Sequence, residues 1–595
     1  MSDVILDRRD LSFQLFEVLD TDALFQRPRF AEHSRETIEA ALDTAEKLAR
    51  EKFANHNSLA DKNEPTFVDG KVAMLGEVKT AFDAYINAGF LSSRASFEEG
   101  GMQLPEIAAA ACKGMFTCVN PSSTAYAFLT AAAANVIRNF ASDTLKSQFL
   151  EPMMAGRFTG TMALTEPHAG SSLADIRTRA VPQEDGSYRL KGNKIYISGG
   201  DNELADNIVH LVLAKIPGGP EGVKGISLFV VPKYRLDAQG NPGERNDVVL
   251  AGLIHKLGYR GTTSTALTFG DNDDCHGYLV GEAHQGLRYM FQMMNEARVG
   301  VGFGAAVLGY RGYRYALDYA RDRLQGRHPD QADFSKPQVP IIEHADVKRL
   351  LLTQKAYAEA AIAMSLYSYR LVDDIETGDE AAAKDAHLLL DLLTPVLKSW
   401  PSEFGVKAND MAIQVFGGAG YTREYPVEQV WRDNRLNPIH EGTTGVQGMD
   451  LLGRKVWMAN GKGLQLLARR ILADVERTTD DRCQPFAQAL KAMLPRVEAA
   501  TTAAGKLMAE QGPRMALSNA NAYLQLMGHT VAAWMWLRQA NAAAALDAPE
   551  DTDFAQGKLQ AAQYFFHWEL PRVELDAQRL IDADDTFINM DNRWF

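Results

Sequence analysis

A carboxylate on a glycine-containing loop is the strongest candidate for chemistry in this sequence. Glu441 is followed by Gly442, and Thr443 or Thr444 can cap a helix that continues through Leu451. A carboxylate just before a capped helix can point into a cavity, where desolvation raises its pKa and makes it a usable base near neutral pH. The alternative is an exposed glutamate that compensates the helix dipole, which for a single loop is the commoner case.

Two further loops carry hydroxyl and backbone groups that a ligand could use. In residues 162–172 an apolar strand ends in Thr165, Glu166 and Pro167, followed by a small-residue turn whose N–H and hydroxyl groups can bond ring heteroatoms or phosphates. Residues 414–421 are rich in glycine, which lets backbone approach a flat or phosphorylated ligand closely. The alternatives are an ordinary turn for the first loop and a helix C-cap for the second.

Other catalytic signatures are missing. The sequence contains no G-x-x-x-x-G-K-[ST], H-E-x-x-H or G-x-S-x-G motif. Gly300, Gly302 and Gly304 follow a helix rather than a strand and have the wrong spacing for a dinucleotide site, so they favour close helix packing. The cysteines form no C-x-x-C pair, so we expect neither a disulfide framework nor a metal site; they are Cys112, Cys118, Cys275 and Cys483.

Length and charge narrow the class of protein. A chain of 595 residues is too long for one core and suggests three or four domains. The net charge of −14 weighs against nucleic acid as the main partner. The N-terminus mixes both charge signs at once, and the longest apolar stretch, residues 124–137, is too short to span a bilayer. We therefore expect a cytoplasmic protein without a membrane span.

Hydrophobic periodicity predicts a β segment between two helical ones. Helical spacing occurs at residues 35–53, 106–118 and 122–140. From about residue 160 the pattern alternates, which predicts a strand at 187–190, a turn, and further strands at 195–198, 209–213, 226–231, 264–269 and 278–280. Such a segment is typical of a barrel or a sandwich. A β unit between helical units indicates a ligand site at their junction.

Helical patterns return from about residue 284. The predicted helices of this part cover residues 286–298, 304–323, 344–376, 381–400, 404–416 and 443–458, with a short one after 424–428. Beyond residue 463 four further candidates indicate an appended helical domain, at 464–478, 485–511, 515–546 and 554–582.

Together the three loops resemble the acyl-CoA dehydrogenase family of flavoproteins. In that family a T-E-P-x-A-G-S loop, a glycine-rich loop followed by E-Y-P-V-E and R-D, and an E-G-T loop occur in this order, as they do here over about 280 residues. The resemblance covers roughly residues 32–460. The length and the helical tail look most similar to the larger bacterial branch that includes 3-methylmercaptopropionyl-CoA and long-chain acyl-CoA dehydrogenases.

The resemblance implies an α+β fold. Its parts are an N-terminal helical domain, a middle β-barrel or sandwich domain and a C-terminal four-helix bundle, to which this chain adds a C-terminal helical domain. The implied bounds are 1–31 for an N-terminal extension, 32–157 for the first helical domain, 158–283 for the β domain, 284–462 for the bundle and 463–595 for the appended domain.

Carried over by position, the family pattern assigns roles to individual residues. Glu441 matches the catalytic base. The positions that match FAD contacts are Leu164, Thr165, Ser171, Tyr196, Ile197, Ser198, Arg323, Gln414, Gly418 and Thr443. The positions that match substrate contacts are Ser171, Arg298, which would contact CoA, and Gly442. Because Arg323, Gln414 and Gly418 match residues that reach the cofactor of a neighbouring subunit, a homodimer or a dimer of dimers is implied.

Three positions depart from the family pattern. Tyr196 replaces the usual Trp, which alters the ring that stacks near the flavin but keeps it aromatic. Gly445 stands where many members have Gln, so one adenine contact is lost. The segment from Arg323 to Gly326 lacks the usual Thr-Phe, which changes the contacts between subunits and cofactor there.

The implied reaction is α,β-dehydrogenation of an acyl-CoA thioester to the trans-2-enoyl-CoA, as in fatty acid β-oxidation, with FAD as cofactor and an electron-transferring flavoprotein as acceptor. Alternatives within the family are a 3-methylmercaptopropionyl-CoA dehydrogenase and an acyl-CoA oxidase that passes electrons to O₂. A DNA-binding flavoprotein of the same superfamily is disfavoured by the acidic charge balance. A catalytically silent interaction protein is the remaining alternative.

Overall fold

The computed structural model describes residues 4–330, 333 and 335–595, which divide into two compact units. The first unit comprises the N-terminal segment as far as Ala41, Pro105–Gly114 and Arg298–Phe595. The second comprises Leu42–Leu104 and Met115–Ala297. The five-part division inferred from sequence stays a prediction.

Helices form most of the first unit and share the second with strands. The longer ones are α1 (Arg35–Leu48), α2 (Gly76–Asn87), α3 (Glu106–Val119), α4 (Pro121–Phe140), α5 (Gly286–Asp322), α6 (Ala345–Thr377), α7 (Glu380–Phe416), α8 (Val427–Asn434), α9 (Thr444–Gly453), α10 (Lys462–Arg477), α11 (Gln484–Gln511), α12 (Ala520–Ala544), α13 (Thr552–Tyr564) and α14 (Arg572–Ile581). Shorter α-helical segments lie at Arg8–Ser12, Asn57–Lys62, Asp143–Leu145, Glu151–Met154, Pro513–Ala516 and Thr586–Asn589. In the described ranges, none of the helices combines the length and the apolar character needed to cross a lipid bilayer.

The strands belong to the second unit. They are β1 (Thr66–Val68), β2 (Lys71–Ala73), β3 (Phe158–Ala163), β4 (Arg179–Pro182), β5 (Tyr188–Ser198), β6 (Asn207–Lys215), β7 (Ile226–Pro232), β8 (Tyr234–Leu236), β9 (Pro242–Arg245), β10 (Val248–Leu253), β11 (Ser264–Phe269) and β12 (His276–Leu279). The pairs β1–β2 and β8–β9 are hairpins, and the others run in the order β10-β11-β5-β12-β7-β6-β3. Because β4 pairs with both β5 and β6, the sheet closes into a barrel. The predicted α+β fold class is confirmed.

The central strands of the barrel are apolar on both faces because each face packs on its own core. Val209 and Leu211 of β6 belong to one cluster, which includes residues of α4, whereas Val212 and Ala214 belong to the other. The contact with α4 is close, since a Cβ on Gly160 would lie 2.7 Å from Cβ of Ala133. This double burial explains why these strands are nearly continuous hydrophobic runs.

Several local predictions about the second unit need correction. The turn predicted at residues 191–194 is wrong, because β5 continues through it and pairs with β4 and β11 there. Gly192 serves packing instead, since a Cβ on it would lie 2.4 Å from Oγ1 of Thr178. The β1–β2 hairpin interrupts a region predicted to be helical. In β5, pairing with strands distant in sequence overrides the local signal for a turn.

The first unit shows the same effect in its helices. The breaks predicted between 298 and 304 and between 400 and 404 are wrong, because α5 and α7 each run without interruption, α7 despite Pro395 and Pro401. The helix predicted to reach 458 ends at Gly453, and the one predicted over 554–582 is divided before α14, at Pro571. Burial among neighbouring helices offsets the low helix propensity of glycine and proline inside α5 and α7.

The appended helix α12 packs directly on two helices of the bundle. A Cβ on Gly448 of α9 would lie 2.8 Å from the carbonyl oxygen of Ala520. A Cβ on Gly528 of α12 would lie 2.3 Å from Cδ1 of Trp400 on α7. The tail therefore belongs to the same core as α7 and α9.

A buried group of charged and amide side chains joins the N-terminal segment to this core. Lys558 of α13 is fully buried, and its Nζ donates to Asp10 Oδ1 at 2.5 Å, to Glu359 Oε2 at 2.8 Å and to Gln539 Oε1 at 3.2 Å. The amide of Gln14 donates to the same Gln539 oxygen at 2.7 Å. Lys355 Nζ donates to the other oxygen of Glu359 at 2.5 Å, so two ammonium groups offset two buried carboxylates, and the ammonium of Lys558 is the one that also binds Asp10.

Removing that ammonium is expected to destabilise the first unit strongly. Lys558→Met leaves the Asp10 carboxylate without its hydrogen-bonded cation and Glu359 with Lys355 alone, and breaking a buried pair at one partner costs about 3–5 kcal/mol. The free energy of unfolding in urea measures the loss. Lys491→Met, on the exposed side of α11, is the control and should change stability by less than about 0.5 kcal/mol. Equal stability of the two variants would contradict the assignment.

Candidate active site

The Glu441 loop lies between α8 and α9 and is held in an unusual backbone conformation. Glu441 has a φ of 54°, in the left-handed region, where a residue other than glycine costs about 1–3 kcal/mol. Gly442 follows at a φ of 90°, and a Cβ on it would lie 2.5 Å from Nε2 of Gln447. Gly442 thus makes a turn that other residues rarely adopt. Thr443, rather than Thr444, caps α9, with its Oγ1 accepting from the Val446 N–H at 3.4 Å.

Two buried side chains clamp this loop by its carbonyl groups. Gln447 Nε2 donates to the Glu441 carbonyl at 3.0 Å, and Lys398 Nζ donates to the Gly442 carbonyl at 2.6 Å. Both Gln447 and Lys398 are fully buried. These bonds hold the strained backbone in place and fix the direction in which the Glu441 side chain leaves it.

Burial and two nearby cations have opposite effects on the pKa of the Glu441 carboxylate. Burial raises its pKa, and Arg298 of α5 and Lys398 of α7 oppose that effect. Burial also lowers the pKa of Lys398 to about 8, against the attraction of Glu441. Among the residues that the structure describes, none donates a hydrogen bond to this carboxylate. The carboxylate is therefore an acceptor that no described donor occupies, which is what a general base requires.

The groups around these cations are a carboxylate and a neutral imidazole. Arg298 Nη1 lies 3.8 Å from Asp450 Oδ2, while Asp450 Oδ1 accepts from Arg454 Nε at 2.8 Å. Burial lowers the pKa of Arg298, and Asp450 and then Glu441 oppose this. Burial lowers the pKa of His440 to about 3, with Lys398 adding to the effect, so this imidazole is neutral at pH 7. The structure thus places Arg298 beside Glu441; its contact with CoA stays a prediction.

A close approach of two helices brings the cations together. A Cβ on Gly302 of α5 would lie 1.8 Å from the carbonyl oxygen of Leu397 on α7. Pro401 has no N–H to donate to that carbonyl, so the helices meet where the backbone ladder of α7 is interrupted. Arg298 lies one turn before Gly302, and Lys398 adjoins Leu397. The interpretation of the glycine run as a helix contact is confirmed at Gly302.

In the second unit, an ion pair anchors the loop after β3. Glu166 is buried and accepts from Lys194 Nζ at 2.9 Å, from Thr178 Oγ1 at 2.6 Å and from the Arg177 N–H at 2.7 Å. Although burial acts against it, Lys194 and these bonds lower the pKa of Glu166. Lys194 Nζ also donates to the Leu164 carbonyl at 2.8 Å. Glu166 is therefore a structural anchor of the predicted cofactor loop.

The same anchor brings two of the predicted FAD segments side by side. The Ile195 N–H donates to the Thr165 carbonyl at 3.0 Å, which sets Leu164 and Thr165 against the segment that contains Tyr196, Ile197 and Ser198. Ser171 is exposed farther along the loop. Within the described chain, no hydrogen bond uses the hydroxyl of Thr165 or that of Ser198.

Tyr196 sits on a bulge in the barrel. The register of β5 with β11 shifts between the pairs Ile197–Thr265 and Lys194–Leu267, so two residues of β5 face one of β11. Tyr196 has a φ of 60°, and its side chain is 63% exposed. A bulge that turns a large aromatic ring to the outside of a barrel is the kind of feature that serves a ligand.

The third predicted group lies at the other end of the bundle. Arg323 follows α5, Gln414 is in the last turn of α7 and Gly418 comes just after it; Tyr319 stacks on Phe416 at 4.1 Å and so joins the two helix ends. At the α-helical rise, Arg323 lies about 37 Å along α5 from Arg298, and Gln414 about 24 Å along α7 from Lys398. The structure therefore does not bring these three residues to Glu441 of the same chain.

A glycine turn and an open cavity mark this end. Gly417 has a φ of 60°, and a Cβ on Gly417 or Gly418 would meet nothing within 4 Å. The adjoining cavity, of about 720 Å³, is lined by Gly418, Ala419, Thr422, Glu424, Tyr425 and Pro426. Packing within the chain thus gives no reason for glycine at 418, and Tyr421 is 91% exposed. Such a surface leaves room for a ligand or a second chain.

Sequence reasoning missed Lys398 and Lys194, the two buried lysines of these sites. Lys398 left a signal, because it is the single ionisable residue in the apolar run 392–400. A lysine at such a position is rarely buried unless something compensates its charge. The turn predicted over residues 191–194 includes Lys194, and a turn residue is expected to be exposed rather than buried.

Comparison with protein families places the chain beside a known group. The model described as "Acyl-CoA dehydrogenase, middle domain" matches residues 161–272, and "Acyl-CoA dehydrogenase, C-terminal domain" matches residues 284–456. The tail, residues 467–591, matches "Acetyl-CoA dehydrogenase C-terminal like". The appended domain is thus itself a recurring module.

Individual proteins are similar over the full length. The chain is 35% identical to the 3-methylmercaptopropionyl-CoA dehydrogenase of Ruegeria pomeroyi, with 98% of each covered. It is 33% identical to the broad-specificity linear acyl-CoA dehydrogenase FadE5 of Mycobacterium tuberculosis, with 99% of each covered. A solved structure, the acyl-CoA dehydrogenase complexed with FAD from Bacillus anthracis, has a similar fold with a TM-score of 0.76 at 19% identity, covering 94% of this chain and 90% of that one.

The strained turn yields a test that needs no ligand. Gly442→Ala forces a Cβ into the amide of Gln447 and into an unfavourable φ, so we expect a loss of about 1–3 kcal/mol in the free energy of unfolding. Gly445→Ala is the matched control, because its Cβ would meet nothing within 4 Å and lies inside α9, where alanine is favourable by about 0.5–1 kcal/mol. A Gly442→Ala variant as stable as Gly445→Ala would contradict the described turn.

Proposed function

This chain belongs to the acyl-CoA dehydrogenase family, and we propose that it catalyses the FAD-dependent α,β-dehydrogenation of an acyl-CoA thioester to the trans-2-enoyl-CoA. The observation that carries the proposal is the Glu441 carboxylate, which is raised in pKa by burial, faced by Arg298 and Lys398, and not committed to a hydrogen bond within the described residues. The carboxylate is therefore available to accept a proton from a bound substrate.

Glu441 takes the α-proton of the thioester in this proposal. A free α-proton of a thioester is far too weakly acidic for an ordinary carboxylate, so the base must be strengthened and the developing enolate stabilised. Desolvation raises the basicity of Glu441, and general base catalysis contributes a factor of about 10²–10⁴ in rate. Proton transfer requires a fixed orientation of the base. The hydrogen bonds from Gln447 and Lys398 to the Glu441 and Gly442 carbonyls hold the backbone from which the Glu441 side chain extends.

The backbone N–H of Glu441 is a suitable donor for the thioester oxygen. Within the described part of the chain this N–H donates to no acceptor, although it belongs to the clamped, strained residue. A fixed donor aimed at a developing oxyanion is worth about 3–4 kcal/mol. One residue would thus supply both the base and part of the stabilisation of the charge that it creates.

The residues present fit FAD. The exposed ring of Tyr196 and the hydroxyls of Thr165 and Ser198 offer stacking and hydrogen bonds to a flat heteroaromatic ring, and Leu164 and Ile197 support them. FAD, when bound, supplies the acceptor for the hydride that leaves the β-carbon. Ser171 and Thr443 are proposed contacts of this cofactor and its phosphates, and Ser171 and Gly442 of the acyl-CoA.

We propose that the protein is a homodimer in which Arg323, Gln414 and Gly418 contact the cofactor of the partner subunit. Arg323, Gln414 and Gly418 lie far along their helices from Arg298 and Lys398, so a second copy is the simpler way for them to reach a cofactor. The open cavity beside Gly418, where a Cβ would meet nothing within 4 Å, supports this arrangement. Size measurement by light scattering at several concentrations tests it, and a monomer that retains FAD would exclude it.

The acyl group and the electron acceptor are the finer parts of the proposal. Among similar proteins, one is named for 3-methylmercaptopropionyl-CoA and one for linear acyl-CoA thioesters in general. Initial rates on saturated acyl-CoAs from short to long chains and on 3-methylmercaptopropionyl-CoA, with a dye as acceptor, separate these substrates.

We propose an electron-transferring flavoprotein as the natural electron acceptor. We also propose that the enzyme acts in fatty acid β-oxidation and is located in the cytoplasm.

The acceptor proposal predicts little peroxide. Under air, the rate of H₂O₂ formation should stay well below the rate measured with an electron-transferring flavoprotein or a dye, because a dehydrogenase does not use O₂ as its acceptor. A catalase-coupled assay measures the peroxide. Peroxide formed in step with each turnover would identify an oxidase instead.

Glu441→Gln separates the base from the rest of the site. The variant should bind FAD and remain yellow, but anaerobic bleaching of the flavin by an acyl-CoA should slow by a factor of at least about 10². Glu380→Gln, an exposed side chain at the start of α7, is the control and should bleach at the wild-type rate. Undiminished bleaching in Glu441→Gln would remove Glu441 from the role of base.

A further inference from the structure

Lys398 is a buried lysine that the fold alone does not explain. Its side chain is fully buried in a helix segment that contains no other ionisable residue from 392 to 400, and burying an ammonium costs several kcal/mol unless the protein compensates the charge. A methionine of similar length would fill the same space without that cost. The groups that compensate Lys398 therefore indicate what it is for.

Those groups belong to the Glu441 loop. Lys398 Nζ donates to the Gly442 carbonyl at 2.6 Å, and Glu441 is the carboxylate that acts most strongly on it. Within the described residues, Lys398 has no carboxylate oxygen within 4.0 Å. The Glu441 carboxylate accepts no hydrogen bond from the described residues, so the Lys398 ammonium attracts it by charge alone. The same ammonium binds the backbone of the next residue, Gly442, by a hydrogen bond.

The other charges near the site are already engaged or weaker. The Arg298 guanidinium also faces Asp450, whose second oxygen binds Arg454. His440 is neutral, and Glu403, on the same helix as Lys398, acts on it less than Glu441 and Arg298 do. The cations that act on Glu441 are thus Arg298 of α5 and Lys398 of α7, and Lys398 also donates a hydrogen bond to the loop.

We propose that Lys398 is a positioning residue for Glu441, which holds the loop by the Gly442 carbonyl and keeps the carboxylate ionised by its charge. The inference rests on the proposed function, in which Glu441 must be deprotonated in order to accept the α-proton. It assigns two separable tasks to one ammonium: a hydrogen bond that fixes geometry and a charge that fixes protonation.

The two tasks predict different effects for different substitutions. Lys398→Met removes both the hydrogen bond and the charge. Lys398→Gln can keep a donor for the Gly442 carbonyl but has no charge, and Lys398→Arg keeps both. Lys384→Met, an exposed lysine of the same helix, is the matched control. Bound FAD and a cooperative thermal transition establish that each variant is folded.

The charge is tested by the pH dependence of anaerobic flavin bleaching at low acyl-CoA concentration. Activity is lost as the pH falls through the pKa of Glu441, because the base becomes protonated. Without the ammonium, less positive charge opposes the effect of burial on the pKa of Glu441. The fall in activity at low pH, the acid limb of the profile, should therefore move to higher pH by about 1 unit in Lys398→Met and Lys398→Gln. In Lys398→Arg and Lys384→Met it should stay at the wild-type position. A merely structural lysine would lower the rate without moving the limb.

The hydrogen bond is tested without substrate. Hydrogen–deuterium exchange of peptides that cover residues 436–447 should be faster in Lys398→Met than in wild type, and unchanged in Lys398→Arg and Lys384→Met. If the loss of activity at low pH occurs at the wild-type pH in the folded variants Lys398→Met and Lys398→Gln, Lys398 does not keep Glu441 ionised. If hydrogen–deuterium exchange is unchanged in Lys398→Met, Lys398 does not hold the loop. If the wild-type protein itself is not bleached by any acyl-CoA, the proposed function fails instead, and the exchange result still decides the clamp.

Discussion

A carboxylate in a partly buried loop remains ionised only where nearby positive charge offsets its desolvation, and this balance shapes the surroundings of Glu441. Burial pushes its pKa up, and Arg298 and Lys398 push it down. A base needs both effects: enough desolvation to be basic and enough positive field to be deprotonated before it meets a substrate. The strained backbone at Glu441 and Gly442 is tolerated because Gln447 and Lys398 bind their carbonyl groups.

Helix packing is what makes this balance possible. Gly302 lets α5 pass against the Leu397 carbonyl, where Pro401 interrupts the ladder of α7, and the two cations stand on the turns that meet there. The appended helix α12 then packs on α7 and α9 through Gly528 and Gly448. The tail is therefore part of the scaffold that holds the base, which is consistent with its presence in relatives that cover the full length of the chain.

Local patterns predicted the loops better than they predicted the elements between them. The helix cap at Thr443 and the turn at Gly442 depend on residues a few positions apart, so the sequence shows them directly. The continuity of β5 through Gly192 and of α5 through Gly302 depends on partners far along the chain, and no local signal reveals that burial will offset a poor propensity. The assignments of Leu164, Thr165 and the other cofactor residues stay predictions in their chemistry.

The sequence by itself determined the class of the fold, the order of helical and β segments and the three loops whose residues identify the family. Only the tertiary structure decided how the candidate base is charged and held. Lys398 reaches the Gly442 carbonyl across 44 residues, and Lys194 reaches Glu166 across 28. The physical reason is that periodicity reports which face of an element is buried, whereas the compensation of a buried charge depends on which distant groups the packing brings within a few ångströms.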